Sequence, residues 1–187
     1  MKFLALLIGA LLLTTPCRNP VLGPGLDTEI ADPFVLKFKG EYYLYSSGNP
    51  ISAWHSVDLE HWTPVGPVLR ASTGPGAWNG TDLWAPEVTY RNGRFYLYYT
   101  ATVKDPDWRR QEAQRRVGVA MADSPTGPFI DSGHPVSVGW AIDGDVLHDP
   151  DTGRDWLFYS TLDEQHLHGA GLAVDELLAP DRAAGHP

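Results

Sequence analysis

The chain has 187 residues and a formal net charge of -9, which allows one domain with a real core. The acidic balance argues against nucleic acid as a partner, because neutralising a phosphate backbone needs basic surface. With 7 Trp, 8 Tyr, 19 Gly and 16 Pro, it joins many turn formers to residues that suit pleated, half-buried surfaces, so an all-β domain is expected.

From the N-terminus, Lys2 precedes an apolar run from Phe3 to Leu13. That run falls short of the about 20 apolar residues a membrane span needs, so residues 1–22 are expected to be an export signal. The stretch Leu13-Thr14-Thr15-Pro16-Cys17 resembles a bacterial lipoprotein signal ending at Cys17, although Pro16 stands where that pattern wants a small residue. The expected location is therefore outside the cytoplasm: secreted, periplasmic or a cell-surface lipoprotein. A lipid at Cys17 would be the only membrane contact. Cys17 is the single cysteine, so no internal disulfide can form.

Residues 23–187 are expected to form one domain, and this stretch repeats itself. Asp32-Pro33-Phe34-Val35 leads to Gly40-Glu41-Tyr42-Tyr43-Leu44-Tyr45-Ser46-Ser47. Ala85-Pro86-Glu87-Val88 leads to Gly93-Arg94-Phe95-Tyr96-Leu97-Tyr98-Tyr99-Thr100. Asp143-Gly144-Asp145-Val146 leads to Gly153-Arg154-Asp155-Trp156-Leu157-Phe158-Tyr159-Ser160. Each copy is predicted to be a strand, a turn containing Gly and a second strand. Asn92-Gly93 is a strong hairpin signal, because both residues tolerate positive φ. The second strands are nearly continuous in apolar and aromatic residues, as expected for strands covered on both faces.

Further strands are predicted at Ile51 to Val57 and Val117 to Ala122. A third, from Gly169 to Val174, begins the same pattern before it drifts. Each unit of about 55 residues then holds about four strands, the content of a propeller blade. Three blades do not close a ring, so an incomplete propeller is expected; a three-bladed protein that closes by dimerising is the alternative.

The innermost strands of a propeller face a shared channel, so equivalent repeat positions converge there. Asp32, Ala85 and Asp143 are equivalent, which aims two carboxylates into one funnel with a small residue between them. An Asp beside Pro33 or Gly144 can equally cap a turn, and it is the register of the two that favours a site. Asp145 lies on the same strand face as Asp143.

Trp62 and Trp156 are expected in blade cores, while Trp78 and Trp140 fall in loops where they could stack on sugar rings. His166 and His168 are two potential ligands, too few to make a metal site. Residues 105–116, with Arg109, Arg110, Arg115 and Arg116, form a polar insertion expected either to shape the mouth of the site or to be solvated. Asn79-Gly80-Thr81 fits a glycosylation sequon.

Four stretches resemble glycoside hydrolase family 43, the five-bladed propeller arabinosidases and xylosidases. They are Ala31-Asp32-Pro33-Phe34-Val35, the stretch from His55 to Trp62, Trp84-Ala85-Pro86-Glu87-Val88, and Ala141-Ile142-Asp143-Gly144-Asp145-Val146. The resemblance implies inverting hydrolysis of arabinofuranosyl or xylosyl linkages in plant oligo- or polysaccharide. It implies Asp32 as general base and Asp143 as the carboxylate that raises the pKa of the acid. The acid itself would be a Glu of a fourth blade, outside this chain. Trp84, Glu87 and Trp140 are the expected substrate-binding residues. No cofactor is expected, although some relatives carry a structural calcium in the central channel. Because the acid is missing, a carbohydrate-binding propeller without catalysis is the alternative.

Overall fold

The computed structural model describes residues 30–162 and 170–187. The expected signal at 1–22, Cys17 and the pair His166 and His168 lie outside them. Among the described residues, twelve strands form three four-stranded antiparallel sheets, with one helix between the second and third strands of the middle sheet. Blade 1 holds β1 (Phe34–Phe38), β2 (Glu41–Ser46), β3 (Ile51–Ser56) and β4 (Thr63–Leu69). Blade 2 holds β5 (Thr81–Arg91), β6 (Arg94–Thr102), β7 (Arg116–Ala122) and β8 (Ile130–Pro135). Blade 3 holds β9 (Ile142–His148), β10 (Asp155–Leu162), β11 (Ala170–Ala179) and β12 (Arg182–Ala183). Within each sheet, strand order follows chain order. The chain is therefore all-β, a partial β-propeller of three blades.

The hairpins at Lys39-Gly40 and Asn92-Gly93 place both residues of each pair at positive φ, the condition for a turn whose twist matches its strands. The third blade drifts in sequence yet still ends in a fourth strand. The two-residue β12 pairs Ala183 with Leu177.

Blade stacking explains the apolar second strands. One cluster, including Tyr45, Ile51, Leu83, Leu97 and Tyr99, fills the space between blades 1 and 2. Another, including Tyr98, Val117, Val119, Leu157 and Tyr159, fills that between blades 2 and 3. Strand β6 is sandwiched between them, and every residue from Phe95 to Thr102 is buried. Its Leu97 and Tyr99 side chains point to one blade and Tyr98 to the other. Strand β10 is less covered, and the outer face of blade 3 exposes Leu147, Leu172, Val174 and Leu178.

Trp62 is buried with Trp54 and Leu44 on the outer face of blade 1, whereas Trp156 is half-buried. Trp78 corrects the expectation of a sugar-stacking loop residue. Its indole packs against the core between blades 1 and 2, faces the Tyr99 ring at 5.5 Å and donates to Asp131 Oδ1 at 3.1 Å. The ring fills the space over Gly118, where any Cβ would collide with it. Asn79 of the sequon is also buried, and its amide donates to the Tyr99 hydroxyl at 2.9 Å, which leaves no accessible nitrogen for a glycan.

Candidate functional site

The repeat carries one irregularity into every blade. In blade 2, Trp84 pairs with Thr100 and Glu87 with Tyr98, so Ala85 and Pro86 together oppose Tyr99. In blade 3, Ile142 pairs with Ser160 and Asp145 with Phe158, so Asp143 and Gly144 oppose Tyr159. In blade 1, Ser47 N–H donates to the Ala31 carbonyl and Phe34 pairs with Tyr45, which leaves Asp32 and Pro33 opposite Ser46. Each is a bulge of two residues against one, a device that re-aims a side chain. The first bulged residue is left-handed in all three blades, with φ 47 at Asp32, 43 at Ala85 and 56 at Asp143. Aspartate tolerates that region better than most residues.

A hydroxyl holds each junction between blades. Ser47 Oγ accepts the Ala85 N–H at 2.7 Å and donates to Asp32 Oδ2 at 2.6 Å. Thr100 Oγ1 accepts the Asp143 N–H at 2.9 Å. Ser47 and Thr100 occupy the same repeat position, just past the end of β2 and near the end of β6. A hydroxyl of one blade therefore secures the bulged residue of the next. Reading the sequence for acids overlooks these two residues; the signal was the Ser or Thr that closes each repeat copy.

The bulges converge on a cavity of about 400 Å3, lined by three consecutive residues from each blade: Asp32 to Phe34, Ala85 to Glu87, and Asp143 to Asp145. Asp32, Asp143 and Glu87 are thus brought together, with Asp145 beside them. Burial, and then the charge of Asp32, raise the Asp143 pKa above the ordinary carboxylate value. Glu87 is pushed up to about 8 by burial and by the Asp145 charge, despite accepting the Val146 N–H at 3.2 Å. At neutral pH it is mostly a neutral acid that ties β5 to β9.

Trp84 and Trp140 stand outside the residues that line this cavity. Both are tied to the polar insertion, whose short helix α1 (Trp108–Ala113) is capped by Asp107. The Arg115 guanidinium lies 3.7 Å from the centre of the Trp84 ring, held there by Asp82 at 3.1 Å and Glu112 at 2.8 Å. The Trp140 indole donates to the Glu112 carbonyl at 3.0 Å. Because β6 runs antiparallel to β5, the insertion that follows β6 sits at the end of β5 that bears Trp84 and Ala85. It is anchored on the cavity's side of the blade by these contacts, while none of its residues lines the cavity and α1 itself buries no residue. Among the described residues, no group of three or more His, Cys, Asp or Glu is placed to hold a metal.

The glycosyl hydrolases family 43 model matches residues 17–181. The chain belongs to this family. It is similar to the xylosidase/arabinosidase 43A of Humicola insolens, at 29% identity over 71% of this chain and 43% of that protein. It is also similar to a probable arabinan endo-1,5-alpha-L-arabinosidase D of Emericella nidulans, at 30% identity over 70% of this chain and 36% of that protein. Among solved structures, it resembles the endo-arabinase of Bacteroides thetaiotaomicron, with a TM-score of 0.72 and 25% identity over 86% of this chain and 55% of that one. The family-43 chain described here thus spans about half or less of the length of these relatives.

Proposed function

We propose that this chain carries the base-bearing half of a glycosidase that cleaves arabinofuranosyl or xylosyl linkages in plant polysaccharide with inversion. The observation that carries the reading is the repeated bulge, which turns Asp32 and Asp143 into one cavity. Asp32, oriented by the Ser47 hydroxyl, is the general base that takes a proton from the attacking water. Asp143, held through its backbone by Thr100, supplies the negative field that keeps a partner acid protonated. Glu87 and the walls at Trp84 and Trp140 shape the sugar pocket. The names of the relatives, xylosidase/arabinosidase and arabinan endo-arabinosidase, support the substrate class.

Turnover would be measured on nitrophenyl arabinofuranoside, nitrophenyl xyloside and linear arabinan, with this chain and with a version extended to the length of its relatives. Asp32→Asn should remove essentially all activity. Full activity in that variant would refute the base assignment. Sugar binding without cleavage by both versions would favour a carbohydrate-binding propeller.

The same proposal places the protein outside the cytoplasm, with the signal within residues 1–22 and, in the lipoprotein form, cleavage before Cys17 and a lipid on that cysteine. Labelled palmitate that enters the protein but not Cys17→Ser would support the anchor; equal labelling of both would refute it.

A further inference from the structure

A second cavity, of about 540 Å3, is larger than the central one and is made wholly from blades 1 and 2. Its wall is the connection from β4 to β5, running from Arg70 to Gly80, closed by Asn49 and Pro50 on one side and Lys104 on the other. The connection is held in shape by Ser72 N–H donating to the Asn79 carbonyl at 3.2 Å and Ala77 N–H to the Gly74 carbonyl at 3.2 Å. Gly80 lets the Lys104 backbone approach closely, since a Cβ there would lie 3.0 Å from Lys104 N.

Topology puts this cavity on the same face as the central carboxylates. Leu69 pairs with Ile51, Ser52 with Ser46, and Tyr45 with Phe34. The ends of β2, β4 and β6 and the starts of β1, β3 and β5 therefore all lie on one side. Two strand spacings, about 10 Å, separate the β3 edge from the innermost strand. That is within reach of a neighbouring unit of a sugar chain seated at the centre.

The charge pattern is the reverse of the central pocket. The only ionisable side chains lining the second cavity are Arg70 and Lys104. Among the described residues, neither makes an ion pair, hydrogen bond or ring contact, in a chain of net charge -9. The hydroxyls of Ser72 and Thr73 and the backbone of a glycine-containing loop complete the lining. Unpaired cations in a polar concave site recognise an anion, while the acidic centre repels one.

We infer that the cavity between blades 1 and 2 binds the carboxylate of a sugar acid, a uronate substituent on the polysaccharide. The inference rests on the carbohydrate reading of the central cavity. Its consequence is register: an acidic branch is excluded from Asp32 and Asp143 and drawn to Arg70 and Lys104, so a neutral unit occupies the centre.

The test is an NMR titration of the chain, following backbone amides, with methyl glucuronoside, methyl glucoside, inorganic phosphate and xylobiose as separate probes. Methyl glucuronoside should shift the amides of residues 70–80 and Lys104, with affinity about tenfold above methyl glucoside. That advantage should shrink between about 50 and about 500 mM salt and vanish in the double variant Arg70→Gln, Lys104→Gln. Equal effects of both glycosides, or shifts retained in the double variant, would overturn the site. Phosphate that binds as tightly as the glucuronoside would show a general anion hole and overturn the sugar-acid assignment. Xylobiose reports separately on the central cavity through the amides of Phe34, Ala85, Glu87 and Asp143, so a silent centre with a responsive second cavity refutes the first reading and leaves the second cavity's acid specificity standing.

Discussion

Thr100→Val isolates what secures Asp143. Valine keeps the shape of threonine and removes the oxygen that accepts the Asp143 N–H at 2.9 Å. Thr100 is fully buried, while the bond is part-buried at its Asp143 end. An orphaned buried donor costs about 1–3 kcal/mol. With a urea slope of about 2 kcal/mol per molar, a loss of 2 kcal/mol moves the unfolding midpoint down by about 1 M. Thr100→Ser keeps the acceptor and loses one methyl, at about 1 kcal/mol, so it should fall between wild type and valine. The assay is urea unfolding followed by tryptophan fluorescence, paired with sugar binding, since freeing the bulge also lets the Asp143 carboxylate wander. If serine proves as destabilising as valine, or valine leaves the midpoint unchanged, the hydroxyl does not hold the bulge and the inter-blade rung is wrong.

Glu87→Gln tests the neutral acid. A carboxyl whose folded pKa is raised from 4.5 to about 8 contributes stability that is full below pH 4.5 and lost as pH rises towards 8, because the folded state holds a proton that the unfolded state has released. The wild-type slope in that window reaches at most about 1.4 kcal/mol per pH unit; the glutamine variant should flatten it and be the more stable protein above pH 8. A slope unchanged in the variant would show that Glu87 is ionised. Arg115→Met leaves Asp82 and Glu112 without their cation and frees the Trp84 ring. Arg115 is buried but Asp82 and Glu112 are 24% and 45% exposed, so the loss costs about 1–2 kcal/mol, a drop of about 2–8 °C in Tm for a chain of this size, and an unchanged Tm would mean the insertion is not anchored through Arg115. Gly144→Ala would set a Cβ 2.5 Å from Val117 Cγ1, and overpacking at a buried blade contact should cost about 1–3 kcal/mol in urea unfolding; a neutral result would mean the two blades can part without loss.

The repeat makes the architecture legible in the sequence. Apolar second strands, hairpin turns with Gly and one spacing repeated along the chain are local signals, and each blade is built from local pairings between consecutive strands. The same repeat put Asp32, Ala85 and Asp143 in register, so the two acids in one cavity were legible too. Trp78 lies in the loop from β4 to β5, as its Gly- and Pro-rich surroundings imply, but local sequence does not say that its ring turns inward. Only the stacking of blades shows that its ring covers Gly118.

What the sequence by itself determined was therefore which residues pair along the chain and which carboxylates share a repeat position. The tertiary structure alone decided the contacts between blades, namely the Ser47 and Thr100 rungs and the burial that keeps Glu87 neutral, and, within blade 2, the Arg115 clamp on Trp84. Strand pairing within a blade follows a short-range pattern that chain order preserves. Contacts between blades join positions about 40 or more residues apart, where charge and burial depend on what the neighbouring blade supplies, and no local pattern records that.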